Sequence, residues 1–151
     1  MITLKRINSD NSDFKKLAQE LDTSLRYYYK GEQSFYEELN NLEKIKYAIV
    51  AYNEKRKPIG CGGIKKISED IAEIKRMYVD PTFRGNGIAT MILNELEKWA
   101  IELNFSKCIL ETLKTKPYAI AFYTKNKYSK FPNYGEYVNA KKSICFQKKL
   151  N

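Results

Sequence analysis

The sequence predicts an α/β (α+β) protein that folds as a single domain over residues 1–151. The length suits one domain with a hydrophobic core of its own. Strand-like and helix-like segments are mixed along the chain, an order typical of a sheet covered by helices. The clearest unit is residues 77–99, where a strand, a glycine-rich turn and a long amphipathic helix follow one another.

Apolar or alternating runs predict five strands, at residues 2–7, 47–52, 58–66, 71–79 and 108–112. Before the second strand, Ser12 or Asp13 can cap a helix that runs to about Leu21. Another helix is predicted near residues 34–42.

The chain after residue 112 adds one more helix and two strands. Pro117 suits the first turn of a helix over residues 118–125, because its fixed φ and missing N–H are tolerated there. From Ser129 on, two strands are separated by a loop rich in Tyr and Gly at residues 133–139.

Composition places the chain among soluble globular proteins, with 43% hydrophobic and 30% charged residues. Apolar runs are shorter than the roughly 18 residues of a membrane span, and the N-terminus lacks the apolar stretch of a signal peptide. We therefore expect a cytoplasmic protein that does not bind membranes. Cys61, Cys108 and Cys145 are widely spaced within apolar runs, which favours buried free thiols over disulfides or a zinc site.

Histidine is absent, so acid–base chemistry must use Glu, Asp, Tyr, Cys, Lys or water. This excludes the usual serine-hydrolase triad and most His-ligated metal sites. The net charge of +9 is scattered rather than concentrated in one run. Such scattering favours a solvated basic surface, which would also attract a polyanionic cofactor, over a nucleic-acid-binding face.

The turn Arg84-Gly85-Asn86-Gly87 stands just before the long helix, whose apolar stripe is Ile88, Ile92, Leu96, Trp99 and Leu103. The first turn of a helix carries unsatisfied N–H groups and partial positive charge. Glycines there let the backbone approach an anion closely, so the segment resembles a phosphate cradle. It has neither the lysine of a Walker A loop nor the full GxGxxG of a dinucleotide fold.

The spacing of Arg84, Gly87 and Ala89 follows the strand KRMYVDP and is followed by AIAFY at residues 119–123. Together these segments resemble the acetyl-coenzyme A signature of the GCN5-related N-acetyltransferase (GNAT) superfamily, in a small bacterial-type member. The resemblance implies a central mixed, mostly antiparallel sheet flanked by helices. It also implies acetyl-CoA as cosubstrate, with no metal.

The resemblance also implies which residues bind the cofactor. Backbone groups of Met77, Tyr78 and Val79 would pair with the pantetheine arm. The N–H groups of the turn and the first helical residues would bind the pyrophosphate; these are Arg84, Gly85, Asn86, Gly87, Ile88 and Ala89. Tyr123 would face the sulfur as general acid and contact the cofactor. Many members carry Asn three residues before Ala119, where this chain has Lys116.

Acetyl transfer by direct attack in a ternary complex needs an amine that has lost its proton and a donor for the developing oxyanion. Glu73 matches the glutamate that some members use as base through water, and Glu111 is the alternative base or an ammonium-binding residue. Strand alternation places Glu73, Lys75, Met77 and Val79 on one face of the sheet. The Val79 N–H is the expected oxyanion donor.

The acceptor is predicted to be a primary amine of a small molecule, and a zwitterionic amino acid in particular. Aromatic loops suggest a walled pocket whose substrate-binding residues are Arg26, Tyr29, Tyr134 and Tyr137, with Glu111 for the ammonium group. Within the class, the alternative is a protein or peptide N-acetyltransferase. From another class, the alternative is a basic nucleic-acid-binding domain. A homodimer is the expected form if the chain assembles.

Overall fold

A computed structural model describes residues 1–29 and 45–151. The side chains of residues 27 and 29 lie outside this description, as does the helix predicted at residues 34–42. The prediction that Tyr29 contacts substrate therefore remains a prediction.

The described strands form one seven-stranded sheet in the order β1-β2-β3-β4-β5-β7-β6. They are β1 (Thr3–Ile7), β2 (Tyr47–Tyr52), β3 (Pro58–Lys66), β4 (Ile71–Val79), β5 (Lys107–Leu113), β6 (Ser129–Phe131) and β7 (Ser143–Lys149). Every neighbouring pair is antiparallel except β4 and β5, which are parallel. The predicted mixed, mostly antiparallel sheet is confirmed.

Three α-helices flank the sheet within the described residues: α1 (Ser12–Tyr29), α2 (Ile88–Glu102) and α3 (Pro117–Lys125). On one face, α2 buries Ile92, Leu93 and Leu96 against the sheet. On the other face, α1 buries Phe14 and Leu17. The chain thus has two apolar layers, one on each side of the sheet.

Helix α1 is longer than predicted, because it continues to Tyr29 rather than ending near Leu21. Its apolar positions Leu21 and Leu25 continue the buried stripe, and no Gly or Pro interrupts the segment. Arg26 consequently lies in the last helical turn and is exposed, rather than in a loop.

The predicted alternation along β4 is wrong beyond Lys75. Arg76 has a left-handed φ of 59°, and the register with β3 shifts at this point, which is a β-bulge. Glu73, Lys75 and Arg76 all lie on the α1 face, whereas Met77 and Val79 pack on the α2 side. The bulge therefore collects three charged side chains on one face.

No helix in the described ranges is long and apolar enough to cross a membrane.

Candidate active site

The centre of the molecule is a cleft where two parallel strands separate. Strands β4 and β5 pair only through Ile71, Ala72 and Glu73 of β4. Beyond these residues β4 pairs with β3 and β5 pairs with β7, so a wedge opens between them. The cleft in this wedge has a volume of about 360 Å³ and reaches from the first turn of α2 to the last turns of α1.

One end of the cleft is formed by the glycine-rich turn. Gly85 and Gly87 have φ angles of 84° and 76°, in the left-handed region that favours glycine. A Cβ added at either position would meet nothing within 4 Å, so both face open space. Gly87 precedes α2 without a side-chain cap, leaving the first N–H groups of the helix for an anion.

Side chains hold this turn in place. The Arg84 Nε donates to the Val79 carbonyl oxygen at 2.9 Å, and the Asn86 amide donates to the Phe83 carbonyl oxygen at 3.0 Å. The Asp80 carboxylate accepts from the Thr82 N–H at 2.9 Å. Arg84, Gly85, Gly87, Ile88 and Ala89 line the cleft, whereas the Asn86 side chain supports the turn from within.

The edge of β4 forms the next part of the wall, where Met77, Tyr78 and Val79 line the cleft. The Asp80 N–H donates to the Ile59 carbonyl oxygen on β3 at 2.8 Å. Backbone N–H groups at the end of a strand point alternately to its two edges, so the Val79 N–H points toward the cleft. This direction is the one an oxyanion donor needs.

Tyr123 on α3 lines the same cleft and is 8% exposed. Its ring packs against Phe122 at a centroid distance of 5.0 Å and against Tyr128 at 5.8 Å. Burial and the nearby Glu111 carboxylate raise the pKa of the Tyr123 hydroxyl well above its usual value. Tyr123 therefore keeps its proton throughout the neutral range.

The α1 face of the cleft borders a largely buried polar cluster made of three pairs, which we name the acceptor side after its proposed role. The Tyr134 hydroxyl donates to Glu73, the Ser143 hydroxyl donates to Glu111, and the Lys75 Nζ donates to the Tyr137 hydroxyl at 2.9 Å. The pairs join β4 and β5 to the loop before β7 and to the start of β7 itself.

Burial shifts the pKa of Glu111 and that of Lys75 within this cluster. Burial raises the pKa of Glu111, and Ser143 and Lys75 oppose this effect. Burial lowers the pKa of Lys75. A carboxyl group and an amine with pKa values shifted by burial are typical of a functional site.

Among the described residues, the cleft wall includes Glu111 and Lys75 but not Glu73, Arg26, Tyr134 or Tyr137. Glu73 is only 2% exposed and lies behind the wall. The structure thus brings Glu73, Glu111, Tyr134 and Tyr137 into one cluster and leaves Arg26 on the surface of α1.

Sequence reasoning did not identify Lys75, Ser143 or Lys116 as site residues. The Lys116 Nζ lies 5.8 Å from the ring centroid of Tyr28 and 5.4 Å from that of Tyr118, and Lys116 lines the cleft. Burial, with a smaller effect of Arg84, lowers the pKa of Lys116 to about 8. One signal in the sequence pointed to Lys116, namely that it stands where many family members carry Asn.

Within the described ranges, no group of three or more Cys, Asp or Glu side chains could hold a metal ion. The glycine turn, the uncapped start of α2 and the open β4 edge together fit a cofactor that has a pyrophosphate and an extended amide-bearing arm.

Comparison with known proteins identifies the class. The model of the acetyltransferase (GNAT) family matches residues 14–128, and the chain belongs to this family. An IAA acetyltransferase from Azospirillum brasilense is 29% identical over 150 residues, which cover 99% of this chain and 98% of that relative.

Solved structures show the same fold. One from Klebsiella pneumoniae subsp. pneumoniae MGH 78578, provisionally named an acyl-CoA N-acyltransferase, has a TM-score of 0.83 and 26% identity, covering 100% of this chain and 99% of that one. A PaiA N-acetyltransferase from Thermoplasma acidophilum, solved in complex with coenzyme A, has a TM-score of 0.72 and 20% identity, with 99% of each chain covered. The chain is therefore an acetyl-CoA-dependent N-acetyltransferase of the GNAT family, as its motif predicted.

Proposed function

We propose that the protein transfers the acetyl group of acetyl-CoA to a primary amine of a small molecule, by direct attack in a ternary complex. The observation that carries this proposal is the buried polar cluster at the acceptor side of the cleft. The Glu111 carboxylate on the cleft wall suits an ammonium group, and the Lys75 amine on the same wall suits an acidic or polar group of a compact substrate.

The proposed roles follow from the geometry. The start of α2 and the turn before it hold the pyrophosphate, and the β4 edge pairs with the pantetheine arm. The Val79 N–H stabilises the oxyanion, because a fixed donor aimed at the developing charge lowers the barrier. Tyr123 protonates the departing thiolate. A carboxylate, Glu73 or Glu111, removes the proton of the ammonium group.

The test is a thiol-release assay with acetyl-CoA and a panel of amino acids, polyamines, aminoglycosides and peptides. Small amines should be acetylated with the highest kcat/KM. Higher activity on peptides would instead assign the chain as a protein N-acetyltransferase. Binding to nucleic acid that falls steeply with salt and does not need acetyl-CoA would support the other class.

Amino acids are the acceptors that we propose within this panel, and two cations could bind their carboxylate. Lys75 is on the cleft wall, and Arg26 is in the last turn of α1, next to Leu25, which lines the cleft. If Arg26 binds the carboxylate, Arg26→Ala should raise the KM for amino acids but not for the matching decarboxylated amines. If Lys75 binds it, Lys75→Met should show this pattern and Arg26→Ala should not. Acetyl-CoA affinity, measured by calorimetry, should stay the same in both variants.

A further inference from the structure

The two carboxylates that could accept the proton differ in their access to the cleft. Glu111 lies on β5 just beyond Ile109, the last β5 residue that pairs with β4. Neighbouring Leu110 packs on the α2 side and Leu113 on the α1 side, so alternation directs Glu111 to the α1 side. Its side chain lines the cleft at the point where the wedge opens.

Glu73 lies in the closed part of the wedge. Its backbone pairs with Lys65 of β3 and with Ile109 of β5, so both neighbouring strands enclose it. The carboxylate accepts a hydrogen bond from the Tyr134 hydroxyl, and the residue is 2% exposed. Because Glu73 does not line the cleft, an amine there would reach its carboxylate only after side chains move or through an intervening water.

We propose that Glu111 takes the proton from the acceptor amine, and that Glu73 is a positioning residue that fixes the loop before β7 through Tyr134. This assignment rests on the proposed function, because it concerns the same site and the same reaction.

The groups around Glu111 suit this role. The Ser143 hydroxyl donates to one carboxylate oxygen, which fixes the orientation of the group and leaves lone pairs for the amine hydrogen. Ionisable groups face Glu111 from every element packed against it: Glu73 and Lys75 on β4, Lys116 before α3, Tyr123 on α3, Tyr137 in the loop and Cys145 on β7. Burial dominates their combined effect and raises the pKa of Glu111 toward the range of a useful base.

The proton step balances as follows. The Glu111 carboxylate accepts one proton from R–NH₃⁺, and the nitrogen lone pair then attacks the thioester carbon. The C–N bond forms, the C–S bond breaks, and the sulfur leaves with the electron pair of that bond. The second nitrogen proton is lost as the amide forms, and the thiolate receives a proton from Tyr123, which is restored from that nitrogen through solvent. Glu111 releases its proton to solvent.

The test compares Glu111→Gln with Glu73→Gln, two isosteric changes in the same cluster. With the best amine of the panel, Glu111→Gln should lower kcat/KM at neutral pH by about a hundredfold or more, the usual worth of a general base. The remaining rate should rise about tenfold per pH unit toward the amine pKa, because only pre-formed free amine then reacts. Glu73→Gln should keep the wild-type pH profile, and both variants should keep their acetyl-CoA affinity.

The opposite pattern would overturn the assignment. In that case Glu111→Gln would keep the wild-type pH dependence of kcat/KM, or Glu73→Gln would show the tenfold rise per pH unit expected of Glu111→Gln. A second measurement needs no acceptor. It is a pH titration of the Glu111 carboxyl, followed by ¹³C NMR in the wild-type protein bound to acetyl-CoA. A pKa above the ordinary value of about 4.3 supports the role, and a value at or below it overturns the role. An inactive panel would count against the proposed function alone, since this titration still tests Glu111.

Discussion

The two sides of the cleft are built from different parts of the chain, one from backbone groups and the other from side chains. The cofactor side consists mainly of backbone: the left-handed glycines 85 and 87, the uncapped start of α2 and the open edge of β4. The acceptor side consists of side chains. Glu73, Lys75 and Glu111 each form a hydrogen bond with the hydroxyl group of another side chain.

This difference indicates how each side can vary. Under the proposed function, the backbone side binds the one cofactor that the family shares, and it needs few residue identities besides glycine. A side-chain cluster can change its charge or shape by a single substitution, so the acceptor side is where specificity can differ between relatives. We therefore expect the two sides to respond differently to mutation. Substitutions of the cofactor-side backbone should lower acetyl-CoA affinity, and substitutions of side chains that take part in the chemistry should lower the rate of acetyl transfer.

Tyr123 should give the largest effect of the three changes considered below. Tyr123→Phe keeps the ring that packs on Phe122 and Tyr128 but removes the proton donor. We expect kcat to fall by about a hundredfold while acetyl-CoA affinity stays within about twofold, because the interaction exists only in the transition state. Stopped-flow thiol release and calorimetry measure the two quantities.

A normal rate of the chemical step in Tyr123→Phe would show that the thiolate leaves with the help of water. Single-turnover kinetics are needed for this comparison, since slow product release would hide a loss in the chemical step. Phe122→Leu is a control for packing next to the same ring, and its rate should fall less than that of Tyr123→Phe.

Gly87→Val should give an intermediate effect and should act on affinity. A β-branched side chain disfavours the φ of 76° and extends into the open space in front of the turn. We expect acetyl-CoA to bind tenfold or more weakly, which corresponds to about 1.4 kcal/mol. Calorimetry on the folded variant measures the change.

Gly135→Val is the matched control for Gly87→Val. Gly135 also has a positive φ, of 52°, and a Cβ there would also meet nothing within 4 Å. Both variants therefore carry similar backbone strain, but only residue 87 adjoins the start of α2. Equal loss of acetyl-CoA affinity in the two variants would mean that general destabilisation, and not the phosphate cradle, explains the effect.

The contrast between the two sides also explains which part of the site could be predicted from the sequence. The cofactor side is local, since residues 77–89 carry the strand edge, the turn and the start of α2, and the sequence predicted each of these elements. The acceptor side joins distant residues: Tyr134 is 61 positions from Glu73, and Tyr137 is 62 positions from Lys75. Hydrophobic periodicity does not indicate such pairs, because it reports which face of an element is buried and not which side chains meet.

The bulge in β4 was also invisible in the sequence. Arg76 adopts a positive φ without being Gly, Asn or Asp, so no residue type marks the position. Its guanidinium lies on the α1 face and donates to Asp22 at 2.8 Å, a tertiary contact that stabilises the bulged backbone. Alternation alone therefore placed Met77 and Val79 on the wrong side of the sheet.

Lys116 lies where the two sides meet, and its replacement should give the smallest effect. It lines the cleft between Arg84 of the cofactor turn and Glu111 of the acceptor side, and burial lowers its pKa to about 8. Below this pKa the side chain is a cation that attracts the phosphates of acetyl-CoA, and above it the charge is lost. We therefore expect acetyl-CoA to bind about threefold more weakly at pH 9 than at pH 7, the usual worth of a partly exposed ion pair.

Lys116→Met tests this expectation, because it keeps the aliphatic length and removes the charge. The variant should show the weaker, high-pH affinity at both pH values, since a phosphate with a second pKa of about 6 is almost fully ionised at pH 7 as well as at pH 9. Calorimetry at pH 7 and pH 9, at one ionic strength, gives the four dissociation constants. A wild-type affinity that does not change between these pH values would place Lys116 on the acceptor side alone. Lys116→Met should then lower kcat/KM for the amine through its effect on Glu111, and leave the cofactor unaffected.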